Sequence, residues 1–141
     1  AAPQVSHAIR LFTVDSGPMA DLDEVEDIRD FKRAFINPKI EERWGAEWGF
    51  EEGCLSIPGI RETVYRPEWV RISYLDENLR PRTDEFRGIK SRIIQHEYDH
   101  IEGVLFTDHL SAIKRQLIRS KLSKMVKGNV NCDYPVVPPP R

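Results

Sequence analysis

The sequence predicts an α+β fold on three observations. Short runs rich in β-branched and aromatic residues fill the first 86 positions. Helical periodicity appears only after Gly88. The chain is 141 residues long, which fits one domain and is too short for two ordinary cores. Strands followed by helices, without regular alternation, indicate α+β architecture.

The elements follow in order. Ile9–Asp15 reads as a strand, and Ser16–Arg33, with Gly17-Pro18 and many acids, as an exposed loop excursion. Phe35–Arg43 is a second strand, with Pro38 marking an edge or a bulge, and Trp44–Phe50 continues the sheet. Gly53–Ile57 is a short apolar segment closed by a turn at Pro58-Gly59. Val70–Leu75 and Arg82–Phe86 form a hairpin around Asp76–Pro81. A helix spans Ile89–Glu102 and ends at Gly103, and a second lies near Ser111–Val126. In the second, Ile113, Leu117, Leu122 and Met125 are expected to pack into the core. Residues 128–141, with Pro135 and Pro138 to Pro140, read as a flexible tail, and no internal repeat is visible.

Composition narrows the function. Hydrophobic residues make up 40% of the chain and charged residues 31%, which excludes a low-hydropathy disordered chain. No apolar run is long enough to cross a bilayer. Two cysteines, Cys54 and Cys132, make no disulfide framework and indicate a reducing compartment. The net charge of −2 hides an asymmetry. Seven acids lie within residues 15–30 (Asp15, Asp21, Asp23, Glu24, Glu26, Asp27, Asp30), and six bases lie within 111–127 (Lys114, Arg115, Arg119, Lys121, Lys124, Lys127). The basic segment reads as a solvated helix face or as a landing strip for RNA.

The segment His96-Glu97-Tyr98-Asp99-His100 carries the chemistry. On a helix, His96 and His100 lie about 40° apart, so both imidazoles reach one ion. Glu97 lies about 60° from His100 and flanks that ion, where its carboxylate can move a proton between a bound water and a leaving amine. Ile89 and Ile93 share the arc of the histidines, as in an apolar pocket wall beside a metal, although aliphatic residues on a helix are more often plain core.

A catalytic site needs a third protein ligand and one open position. Position 106, where one protease pattern carries a third His, is Phe, and no Glu follows Glu102, where another carries one. Asp108, His109, Asp133, His7 and Cys54 remain as candidates. Cys54 stands out because it sits in a small-residue segment closed by a turn, and a metal turns a buried thiol from an inert group into a strong ligand. A structural ion with His7 or His109 closing its shell, and a protease acting inside chains, are the competing functions.

Glu52–Gly59 (EGCLSIPG) and Gln95–His100 (QHEYDH) resemble the second and third motifs of peptide deformylases. Ala1–Gln4 (AAPQ) is similar to the end of the first motif. The resemblance covers essentially the whole chain and implies antiparallel β-sheets packed around a central HExxH helix, with a C-terminal helix as in the bacterial class. It implies that Cys54, His96 and His100 bind the metal and that Glu97 is general base and then general acid. Gln4 and the Leu55 N–H would stabilise the oxyanion, and Gly53, Arg61, Ile89 and Ile93 would line the substrate pocket. Glu52, Arg66 and Asp99 would form a charge network that orients the ligands.

The implied reaction is removal of the formyl group from N-formylmethionine of newly made proteins by attack of metal-bound hydroxide, with release of formate. Fe²⁺ is the expected ion in the cell, and Zn²⁺, Ni²⁺ or Co²⁺ can replace it. The implied partners are formylmethionyl nascent peptides and, through the basic helix 111–127, ribosomal RNA, with neither DNA nor membrane. The implied location is the bacterial cytoplasm or an organelle of bacterial descent. The chain opens on Ala1 rather than Met, and the Gly-x-Gly half of the first motif and the helix before it do not occur in it. This reads as a cut start, and the loss of one pocket wall is expected to weaken activity.

Overall fold

The computed structural model of the chain describes residues 1–22 and 28–136. Asp23, Glu24, Glu26 and Asp27 of the acidic cluster lie outside the described residues, as do 137–141 of the tail. Four strands, β1 (Leu11–Asp15), β2 (Lys32–Cys54), β3 (Ile57–Leu75) and β4 (Pro81–Arg87), form one antiparallel sheet in the order β1-β2-β3-β4. Two helices follow, α1 (Gly88–Ile101) and α2 (Ala112–Val126). The architecture is the α+β fold that the sequence predicts, with a single sheet.

β2 and β3, of 23 and 19 residues, are longer than the sequence segments suggested. The Pro58-Gly59 turn is corrected. The chain reverses at Leu55–Ser56, and Pro58 and Gly59 lie inside β3. The strand carries its even-numbered residues Ile60, Val64, Arg66, Val70, Ile72 and Tyr74 buried along its length, so period-two burial continues through the glycine. Pro38 lies inside β2, just beyond the end of its pairing with β1. Asn37 adopts φ 48° just after the β1 pairing ends at Ile36, and its N–H bonds to the Arg10 carbonyl. The segment read as a loop over 16–33 also contains a short 3-10 helix, Gly17–Leu22. The hairpin over Asp76–Pro81 is present, with Asp76 Oδ1 accepting from the N–H groups of Asn78 and Arg80.

The described chain divides into two compact units. The first comprises residues 1–48 and 66–105, around Phe12, Val14, Phe35, Val70, Ile72, Tyr74, Phe86 and Ile94. Phe35 is the hub of this core, with ring centroids 4.7 Å from Phe12 and 4.4 Å from Tyr74. α1 buries Ile94 here, and Tyr98 and Ile101 pack beside it at helical spacing. The Tyr74 hydroxyl donates to Asp84 Oδ2 at 2.7 Å, and burial, followed by that bond, pushes its pKa up to about 12.

The second unit comprises residues 49–65 and 106–141, around Ile57, Ile60, Val64, Phe106, Leu110 and Ile118, with Cys54, Leu122 and Met125 at its margin. The expected apolar stripe of α2 is corrected here. Leu122 and Met125 do pack inward, but the residue that completes the face is Ile118, whereas Ile113 and Leu117 are each 76% exposed. The sequence offers two apolar lines at helical spacing on α2, and only the contacts of the folded unit choose between them. Ser111 caps the helix by accepting from the Lys114 N–H.

Two predictions follow from this packing. Ile118→Ala should cost about 2–5 kcal/mol in urea denaturation, whereas Ile113→Ala should stay within about 0.5 kcal/mol. The phenol of Tyr74 contributes stability that is complete below its unfolded pKa of about 10 and is lost as pH rises from there to about 12. Urea midpoints taken across that window should fall less in Tyr74→Phe than in the wild type.

Candidate metal centre

α1 presents two faces. Ile94, Tyr98 and Ile101 pack on the first core, while His96 and His100 lie roughly 200° and 240° around the helix from Ile94. The two imidazole rings are 5.0 Å apart, centre to centre. His100 is buried, and His96 and Glu97 are half-buried. The helix stops one residue past His100 because Gly103, at φ 74°, takes a left-handed conformation that costs glycine little. The Gly103 N–H bonds to the His100 carbonyl, and the Val104 N–H to the Asp99 carbonyl at 2.8 Å. This Schellman pattern fixes the backbone at the second histidine.

Three further contacts hold α1. Arg66 of β3 donates to Asp99 Oδ2 at 2.7 Å, and both side chains are largely buried. Gln95 Nε2 donates to Ser91 Oγ and to the Pro67 carbonyl. Arg92 lies over the Trp48 ring, 4.5 Å from its centre, and donates to the Trp48 carbonyl. Of these, only the Arg66 and Asp99 pairing was suggested by the sequence. Gln95 was legible in hindsight as a polar residue four after Ser91, whereas Arg92 carried no signal beyond its place one turn before His96.

At the N-terminal end a short 3-10 helix spans Ala2–Val5. The Ala1 nitrogen donates to Gln4 Oε1 at 2.6 Å and to Glu97 Oε2 at 2.9 Å, so the Gln4 and Glu97 side chains share a neighbour. Ile89 is buried, and Ile93 packs at the edge of the first core.

In the second unit Cys54 ends β2 and Leu55 opens the two-residue turn, its side chain 76% exposed. Arg61 lies across Gly53, where a Cβ would come within 3.2 Å of its guanidinium, and it donates to Glu51 at 2.8 Å. Glu52 is buried. Cys54, His96 and His100 each offer one ligand atom, and these atoms lie within 4.8 Å of one another. Neither His7 nor His109 belongs to this group, and both are exposed. One thiol and two imidazoles suit Zn²⁺, Fe²⁺, Co²⁺ or Ni²⁺ and leave room for a fourth ligand.

Comparison with known proteins agrees with this chemistry. Residues 1–116 match the polypeptide deformylase family. The peptide deformylase of Cytophaga hutchinsonii is 52% identical over 134 residues, covering 95% of this chain and 71% of that protein. A crystal structure of Arabidopsis thaliana peptide deformylase 1B with an inhibitor superposes with a TM-score of 0.77 at 34% identity, covering 91% of this chain and 67% of that one. A peptide deformylase from Legionella pneumophila gives a TM-score of 0.70 at 39% identity, over 88% of this chain and 68% of that one. The chain belongs to the peptide deformylase family. These enzymes are metal-dependent hydrolases that remove the N-formyl group from nascent peptides. Among the described residues, no helix is long and apolar enough to cross a membrane.

Asp99→Ala should destabilise the protein by about 3–5 kcal/mol, because it takes the carboxylate from the buried Arg66. Urea denaturation checks this, and Glu85→Ala on the exposed Arg71 pair should cost no more than about 1 kcal/mol.

Proposed function

We propose that this chain hydrolyses the formamide of formylmethionyl peptides with the residues assigned below. The observation that carries the reading is the convergence of the Cys54, His96 and His100 ligand atoms beside a carboxylate one residue from the first histidine. Cys54, His96 and His100 would hold one divalent ion, expected to be Fe²⁺ in the cell, with Zn²⁺, Ni²⁺ or Co²⁺ able to replace it. When bound, such an ion acts as a Lewis acid and lowers the pKa of water from 15.7 toward about 7.

The remaining work belongs to the chain. Glu97 takes a proton from the water whose oxygen adds to the formyl carbon. The Gln4 side-chain amide and the Leu55 backbone N–H donate to the formyl oxygen as it gains negative charge. Glu97 then delivers its proton to the nitrogen as the C–N bond breaks, leaving formate and a free amine. Gly53 and Arg61 flank the peptide, and Ile89 and Ile93 line the methionine pocket. The location of the substrate implies a cytoplasm or an organelle of bacterial descent.

Lys114 pairs with Glu62 at 3.0 Å, whereas Arg115, Arg119, Lys121, Lys124 and Lys127 are exposed on α2 and its C-terminal cap. These five cations support docking on ribosomal RNA, where the substrate emerges. Binding to ribosomes should weaken steeply with salt, because phosphate contacts release counterions. An affinity unchanged between about 50 and 200 mM salt contradicts it.

The test of the chemistry is formate release from formyl-Met-Ala-Ser by anaerobically purified protein. Glu97→Ala should lower kcat by about 10²–10⁴-fold while metal per chain is unchanged. Normal turnover in that variant removes Glu97 from the mechanism. Cys54→Ala should lose the ion itself, read by elemental analysis.

A further inference from the structure

The two-residue turn at Leu55–Ser56 raises a physical question. In a tight hairpin the ladder satisfies the strands, but the carbonyls of the turn residues point outward and are held by nothing in the ladder. Leu55 is the first turn residue, and its N–H is the backbone donor assigned above to the formyl oxygen. An oxyanion donor works only if it is already in place when charge develops. The Cys54–Leu55 peptide is tied to β2 on one side.

The C-terminal segment reaches the Leu55 carbonyl on the other side. α2 ends in a second Schellman pattern, in which Gly128, at φ 79°, donates to the Met125 carbonyl and Asn129 to the Lys124 carbonyl. The chain then turns back, with the Val130 N–H on the Gly128 carbonyl. Cys132 Sγ donates to the Tyr134 carbonyl at 3.2 Å. The Tyr134 hydroxyl donates to the Leu55 carbonyl at 2.8 Å, across 79 residues of sequence. The same unit packs Leu122 and Met125 of α2 and Cys54 against one core.

The geometry points to Tyr134 as a positioning residue: its hydroxyl pins the Leu55 carbonyl and so fixes the turn whose N–H stabilises the oxyanion. The inference rests on the deformylase reading of the site. The Leu55 N–H and C=O lie in two peptide planes joined at one Cα, so with the first plane tied to β2 and the second held at its oxygen, φ and ψ of Leu55 keep little freedom and the N–H keeps its direction. Tyr134 touches neither substrate nor ligand in this role. It also gives the segment after α2 a task, where the sequence suggested only a flexible tail.

The test is Tyr134→Phe in the full chain, which keeps the ring and removes only the hydroxyl. Loss of a whole oxyanion donor costs about 10²–10³-fold, so loosening one should lower kcat for formyl-Met-Ala-Ser by about 5–20-fold. KM should stay within about twofold, and metal per chain should be unchanged. Hydrogen–deuterium exchange over residues 50–60 should quicken in the variant. Unchanged kcat overturns the proposal, whatever the exchange shows. A fall in kcat with unchanged exchange overturns it too, as does a fall that tracks metal loss, because the ring would then act on Cys54 or on the fold. Failure of the deformylase reading is distinct, since it appears as absent formate release in the wild-type holoenzyme.

Discussion

The seating of α1 on the sheet is the interaction on which the rest depends. Ile94 is buried in the first core with Tyr98 and Ile101 packed beside it, and this fixes the rotation of the helix about its own axis. A rotation error of one residue, about 100°, would carry both histidines out of reach of a common ion. The apolar face therefore does for the imidazoles what no single hydrogen bond to them can do. Arg66 and Asp99 add directional control, because a short buried ion pair tolerates little sliding of the helix along its axis. Such a pair adds little net stability, although removing one partner is costly.

Cys54 is held in another way. It ends β2 beside a two-residue turn. It packs, as do Leu122 and Met125 of α2, against the core of its unit, and the neighbouring turn carbonyl accepts from the Tyr134 hydroxyl. α2 thus has two faces with different work. Ile118, Leu122 and Met125 build the core beneath the cysteine, while the exposed lysines and arginines face solvent.

Much of the fold and the grouping of Cys54, His96 and His100 were legible in the sequence. HExxH spacing fixes the relation of two ligands and a carboxylate by helix geometry alone, and Gly103 marks the helix end by its own conformational freedom. The Asp76–Pro81 hairpin was legible because turn chemistry is local. The Leu55–Ser56 reversal was not, because Pro58-Gly59 is the stronger turn signal three residues on, and strand pairing overrode it. The buried face of α2 was misread because Ile113 and Ile118 are equally apolar and only their surroundings distinguish them. Tyr134 was out of reach for a similar reason. Its partner lies 79 residues away, and a tyrosine among prolines carries no periodicity.

The proposed ligand set would also explain why donors beside an ion matter in this site. A thiolate with two imidazoles would place a single negative charge against the two positive charges of the proposed ion. Sulfur shares its charge more readily than a carboxylate oxygen, which softens the pull on a substrate oxygen. In the proposed mechanism the growing charge of the tetrahedral species would then be met by the Gln4 amide and the Leu55 N–H. A donor from a side chain can re-aim by rotation, whereas a backbone donor moves only with its peptide plane. On the proposed mechanism the demand for rigidity would fall on the turn rather than on Gln4, and the Tyr134 hydroxyl, reaching the Leu55 carbonyl from the segment after α2, would meet it at the cost of one ordered side chain.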